Sequence, residues 1–262
     1  MKILFTDPLH NEGIRLLKNA NFEVIDGTNA SIEKKISLSR DVDAWLIRSG
    51  TTINKKAIDQ AKELKIIGRA GVGVDNIDIE YATKRGIVVT NTPDVNTTSA
   101  CEHTIALMLS LSRNISLGDQ SIKIGNWNRN ELIGTEISSK TIGIVGMGKI
   151  GRELMKRCLS FDMKILAYDP YVSKTLIERK NVDLVSLDEL FSNSDFISTH
   201  VPLNDNTRDL INKESFSLMK SNVRIINVAR GGIINEQDLA EALKKNKIAG
   251  AAVDVFSKEP IE

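Results

Sequence analysis

The chain has 262 residues, room for two domains at about 150 residues each. Hydrophobic residues at 41% and charged residues at 26% suit a folded globular protein and exclude a disordered one. Lys+Arg 35 against Asp+Glu 34 leaves a net charge of +1, which counts against a nucleic-acid partner, and no apolar run approaches the roughly 18 residues of a membrane span. The N-terminus (Met1 to Asp7) has too short an apolar stretch for a signal peptide, so a cytoplasmic protein is expected. Cys101 and Cys158 form no metal or redox spacing and read as reduced, buried thiols; no metal site is expected.

Apolar runs at 2–6, 22–25, 44–47, 65–68 and 87–90 predict strands. Between them, helical spacing over 12–19, 32–38, 55–63 and 77–84 predicts crossovers. Strands joined by helices imply parallel sheets covered on both faces, with right-handed connections. Residues 91–99 have loop composition, and a boundary is placed between domains 1–95 and 96–262. Residues 100–112 predict a buried helix, apolar on most sides, capped by Thr98 or Ser99. Residues 113–140 read as irregular. A second alternating series predicts strands at 141–145, 164–168, 196–199, 223–228 and 248–253. Its helices are expected at 149–160, 187–191, 213–219 and 236–245.

The strand at 141–145 runs into Gly146-Met147-Gly148-Lys149-Ile150-Gly151, a G-x-G-x-x-G pattern opening a helix. Gly146 permits the tight turn, Gly148 lets a pyrophosphate approach the backbone, and Gly151 lets helix and strand pack closely. The helix N-terminus offers free N–H groups and partial positive charge to phosphates. The next strand ends in Asp169, whose carboxylate suits ribose hydroxyls and repels a 2′-phosphate, favouring NAD over NADP. In the first half, Arg69-Ala70-Gly71-Val72-Gly73-Val74 follows a strand and precedes a helix; free amides there suggest a small anion site at a helix N-terminus. Arg48-Ser49-Gly50 sits similarly after the strand at 44–47. Taken alone, each of these arginines reads better as a solvated or salt-bridged surface residue.

Together these segments resemble the NAD-dependent D-2-hydroxyacid dehydrogenases. The resemblance is densest in GRAGVGVDNID (68–78), NTTSACEHTIALMLSLSRN (96–114), GNWNRNELIGTEISSKTIGIVGMGKIGRE (125–153), HVPLNDNTRDLIN (200–212), INVARGGIINEQDLAEAL (226–243) and AGAAVDVFSKEP (249–260). It implies an α/β protein with two parallel-sheet domains: a flavodoxin-like substrate domain and a Rossmann NAD domain, with the active site in the cleft between. Within the family the chain is most similar to members that oxidise 3-phosphoglycerate; a glyoxylate or hydroxypyruvate reductase, or an NAD-sensing protein akin to corepressors of this fold, are the alternatives.

The resemblance implies roles residue by residue. Arg230 binds the substrate carboxylate and polarises the C2 oxygen, and Glu259 supports a catalytic histidine. Asp254 faces the nicotinamide carboxamide. Arg48, Ser49, Arg69, Gly71, Val72 and Gly73 hold the phosphorylated substrate, and Arg129, a further candidate phosphate partner, resembles an arginine that reaches the partner subunit's cleft. Gly146, Gly148, Lys149, Ile150, Gly151, Asp169, Pro170, His200, Val228, Ala229 and Arg230 line the cofactor. The family's acid/base histidine follows the Glu-Pro match, and the sequence stops at Glu262 without it. A fragment of a longer enzyme is therefore expected, binding NADH but turning over slowly. His103, on the apolar helix, is expected to be a satisfied structural histidine. A homodimer is implied, with residues 100–139 contributing.

Overall fold

The computed structural model describes all residues except 94, 174–178 and 262. The chain divides into two compact units, Met1–Asn96 and Thr97–Glu262.

The first unit alternates β1 (Lys2–Phe5), α1 (Asn11–Asn19), β2 (Glu23–Asp26), α2 (Ile32–Leu38), β3 (Ala44–Ile47), α3 (Lys55–Gln60), β4 (Ile66–Arg69), α4 (Ile79–Lys84) and β5 (Val88–Asn91). All strand pairs are parallel, in the order β2-β1-β3-β4-β5, the flavodoxin-like arrangement. Ser31, Asn54 and Asp78 start α2, α3 and α4 by accepting a main-chain N–H in the first turn. Leu4, Trp45, Ile47, Ile58 and Ile67 form the core. The indole N–H of Trp45 donates to Thr6 Oγ1 at 2.9 Å, so the one polar atom of that buried ring is satisfied.

The second unit opens with α5 (Thr97–Ser112), α6 (Ile115–Lys123) and a 3₁₀ turn (Arg129–Leu132). There follow β6 (Thr141–Val145), α7 (Lys149–Ser160), β7 (Lys164–Tyr168), β8 (Val182–Leu184), α8 (Leu187–Asn193), β9 (Phe196–Thr199), α9 (Lys213–Leu218), β10 (Arg224–Asn227), α10 (Glu236–Lys244) and β11 (Gly250–Val253). Its parallel sheet runs β11-β10-β9-β6-β7-β8, the doubly wound order whose switch point lies between β6 and β9. Successive strand residues feed opposite faces. Ile144, Phe196 and Ile226 enter one core, while Val145, Ile197 and Ile225 enter the other.

Four expectations need correction. Residues 113–140 are not wholly irregular: α6 and the 3₁₀ turn lie there, and α6 buries none of its residues, so no core stripe announced it. Strand β8 went unrecognised because it is three residues long and pairs only with β7. Thr98 and Ser99 lie inside the first turn of α5 rather than capping it. That helix is also not buried all round; Cys101, Thr104, Met108 and Ser112 form one buried stripe, and His103 is half exposed. Both cysteines are free and buried, as expected. Among the described residues no helix is long and apolar enough to cross a membrane, and no His/Cys/Asp/Glu group could hold a metal.

Candidate functional site

Register builds one edge of the second unit's sheet. Val145 pairs with Tyr168 on one side and Thr199 on the other; Asn227 pairs with Thr199 and Val253. Those five residues form a row across five strands, about 19 Å at the usual strand spacing. The residues that leave the strands, Asp169, Gly146, His200, Val228 and Asp254, therefore emerge side by side.

The three glycines of the turn after β6 carry different duties. Gly146 adopts φ +98°, and a Cβ there would meet the His200 carbonyl at 2.7 Å. A Cβ on Gly151 would lie 2.1 Å from the Gly146 carbonyl oxygen, so α7 seats against the turn only with glycine. Gly148 has ordinary φ (−67°), and a Cβ there would meet nothing within 4 Å. Among the described residues no packing requires glycine at 148; what it leaves clear is the space in front of the N-terminus of α7. Its N-cap residue, Gly148, makes no side-chain cap, and the first turn of a helix is where N–H groups lack intrahelical partners. These features fit a dinucleotide diphosphate.

Asp169 is fixed beside the turn. Met147 N–H donates to Asp169 Oδ2 at 2.8 Å and Tyr171 N–H to Oδ1 at 2.9 Å. Each oxygen keeps acceptor capacity for a ribose hydroxyl. Pro170 is exposed next to it. His200 donates its N–H to the Val145 carbonyl at 2.7 Å, and its Nε2 lies 2.8 Å from Ser198 Oγ. Burial pushes this imidazole down to about 4, so it is neutral at pH 7.

Farther along the row, Asn227 organises the turn that carries Arg230. Its Oδ1 accepts from Thr199 Oγ1 and Ala229 N–H, both at 3.0 Å, and its Nδ2 donates to the Arg230 carbonyl at 2.9 Å. The next residue, Gly231, touches the following loop so closely that a Cβ would sit 2.0 Å from the Phe256 carbonyl carbon. That loop is tied down twice. Glu236 accepts Ser257 N–H at 2.6 Å and Ser257 Oγ at 2.9 Å, while Glu259 accepts Phe256 N–H at 2.9 Å. Arg230, Glu259 and Asp254 thus belong to two interlocked turns at one sheet edge. His103 does have a partner, with its Nε2 3.3 Å from Asp254 Oδ1, but it is half exposed at this edge and not in the core.

In the first unit, Arg48, Ser49 and Gly50 lie exposed after β3, and Arg69 ends β4. The loop from Gly71 to Val74 lacks the helix N-terminus expected of an anion site there. The following helix begins only at Ile79 and is capped by Asp78, and the Gly71 N–H is spent on the Arg69 carbonyl at 2.9 Å. The helix that follows therefore does not open on that loop. Glycine at 71 serves Arg69 instead: a Cβ would lie 1.8 Å from its Nη1, so the guanidinium folds back over the loop. Arg129 sits exposed on the 3₁₀ turn of the second unit. Sequence reasoning passed over Asn227, Glu236, Asp7 and Asn76; Asn227 and Asp7 share the signal of a buried polar residue at or just past a strand end, whereas Glu236 is exposed at the start of α10 and Asn76 is half-buried in a loop, so neither carries it.

Residues 105–262 match the model of the D-isomer specific 2-hydroxyacid dehydrogenase NAD-binding domain. A D-3-phosphoglycerate dehydrogenase of Methanocaldococcus jannaschii is 46% identical over 261 residues, covering 99% of this chain and 50% of that protein. The chain spans about half the length of the curated relatives it matches. Among solved structures, an NAD-dependent formate dehydrogenase from Staphylococcus aureus in complex with NAD superposes with a TM-score of 0.90 at 31% identity, covering 100% of this chain and 83% of that one. A glyoxylate reductase from Paecilomyes thermophila superposes at 0.88 with 29% identity, covering 100% and 83%.

Proposed function

The chain belongs to the D-isomer specific 2-hydroxyacid dehydrogenases, and we propose on that footing that it serves NAD-dependent oxidation of 3-phosphoglycerate to 3-phosphohydroxypyruvate, a step of serine biosynthesis. The amides opening α7 hold the diphosphate, with Gly148 leaving room for it and Lys149 and Ile150 alongside. Asp169 takes the adenosine ribose. When bound, NAD⁺ supplies the acceptor for the hydrogen that leaves C2 with its electron pair. Arg230 grips the substrate carboxylate and polarises the C2 oxygen. Glu259 supports the family's histidine, which takes the C2 hydroxyl proton. Asp254 faces the carboxamide of the nicotinamide. Arg48, Ser49 and Arg69 hold the phosphate, and Arg129 reaches toward the cleft of a partner subunit. A cytoplasmic homodimer is part of this reading; Ile115, Leu117, Ile124, Trp127 and Ile133 form an exposed apolar stretch that a second copy would cover.

The observation that carries the cofactor assignment is Gly148: a glycine that no packing demands, at the uncapped start of a helix on the switch point. Calorimetry with NAD⁺ and NADH tests it, and no heat at millimolar cofactor overturns it. The similarity to a glyoxylate reductase supports a second substrate reading. A higher kcat/KM for hydroxypyruvate than for 3-phosphohydroxypyruvate would favour that one.

A further inference from the structure

One buried carboxylate and one carboxamide seize the same two residues of the turn that carries Arg48. Asp7, 4% exposed, follows β1. Its Oδ2 accepts Arg48 N–H at 2.6 Å and Thr51 N–H at 3.1 Å, and its Oδ1 accepts Thr51 Oγ1 at 2.7 Å. From the loop after β4, Asn76 Nδ2 donates to the Arg48 carbonyl at 2.7 Å and to the Thr51 carbonyl at 2.6 Å. So both N–H groups end on Asp7 and both carbonyls on Asn76. The amide orientation of Asn76 follows from this, because two carbonyls can only face its NH₂. Its own backbone is pinned beside the turn: Ile53 N–H donates to the Asn76 carbonyl at 2.8 Å, and Asp78 N–H to the Ile53 carbonyl at 2.9 Å. Gly50 closes over the carboxylate, where a Cβ would meet Asp7 Oδ1 at 2.9 Å.

We infer that Asp7 and Asn76 are positioning residues that pre-order the Arg48–Thr51 turn for an anionic substrate group. With the amides of Arg48 and Thr51 spent inward, the chemistry left facing outward is the Arg48 guanidinium and the Ser49–Gly50 segment. Holding these in place before the ligand arrives lowers the ordering entropy that binding would otherwise cost. The inference rests on the assignment of Arg48 and Ser49 to the substrate phosphate made above. It also makes a counterintuitive choice of charge. A carboxylate beneath an anion site repels the ligand by Coulomb's law, so Asp7 is useful there only through the geometry it imposes. Lys35, with Nζ 3.9 Å from Asp7 Oδ1 and 3.3 Å from Thr51 Oγ1, offsets part of that charge.

The sign of one substitution separates the two effects. Asp7→Asn keeps the shape and an acceptor but removes the charge; neutral acceptors bind roughly half as strongly. Amide shifts of Ser49 and Gly50 in the full chain are followed as 3-phosphoglycerate, and separately inorganic phosphate, is added. Bracing predicts that Asp7→Asn weakens binding about threefold and Asn76→Ala about tenfold, with faster amide exchange at Arg48 and Thr51. Tighter binding by Asp7→Asn, or unchanged affinity and exchange in Asn76→Ala, overturns the inference while the substrate assignment stands. Should Asp7→Asn fail to fold, Asn76→Ala decides. A wild-type chain whose Ser49 and Gly50 respond to neither anion removes the assignment itself, and the inference with it.

Discussion

Replacing Gly148 isolates cofactor binding from folding. The residue's φ of −67° is open to any L-amino acid, and a Cβ would have no neighbour within 4 Å. Gly148→Ala gives up a modest N-cap preference of a few tenths of a kcal/mol or somewhat more. It recovers about 0.4–1 kcal/mol by restricting the unfolded chain. The two offset, so the melting temperature should move by no more than about 3 °C. The added methyl, and still more the branched side chain of Gly148→Val, stands in front of the α7 amides. Losing one charge-assisted hydrogen bond to a phosphate costs about 1.5–3 kcal/mol, or roughly 10- to 150-fold in affinity. Gly151→Ala is the control. Its Cβ would lie 2.1 Å from the Gly146 carbonyl oxygen, so it should lower stability as well as binding. Calorimetric NAD⁺ titration and thermal melts of the same samples read both quantities. Wild-type affinity in Gly148→Val would refute the reasoning, as would a stability loss in Gly148→Ala as large as that of Gly151→Ala.

Asp169→Ala removes the acceptor of the Met147 and Tyr171 amides; it should weaken NAD⁺ binding about tenfold and narrow the preference over NADP⁺, checked by paired titrations. His200 makes stability depend on pH. Its folded value of about 4 lies below the ordinary histidine value of 6.5, so the unfolded chain binds the extra proton between them and stability falls as pH drops through that window. From pH 7 to pH 5 the loss should be about 2 kcal/mol by urea unfolding, and His200→Gln should remove that part of the slope. Cys158, pushed up to about 12 by burial, and Cys101, also raised by burial, should react with a thiol reagent only on unfolding. Trp127→Glu, at a side chain 74% exposed, should shift sedimentation toward monomer without changing NAD⁺ affinity.

The amino-acid sequence on its own dictated what depends on near neighbours along the chain. The strand–glycine–helix passage at 141–160 was legible because G-x-G-x-x-G is a local backbone demand: one positive φ, one clear approach, one close packing. Helices with an apolar stripe, such as α7, were legible for the same reason, whereas α6 buries nothing and β8 is three residues long, so neither left a periodic trace. Tertiary structure alone decided which strand ends meet. Asp169, Gly146, His200 and Asp254 lie 23 to 54 residues from their nearest member of the set in sequence, and only parallel register sets them in one row. It also decided that Asp7 and Asn76 close on Arg48 from opposite sides and that His103 reaches Asp254, because hydrogen bonds between distant residues have no pattern a local reading can detect.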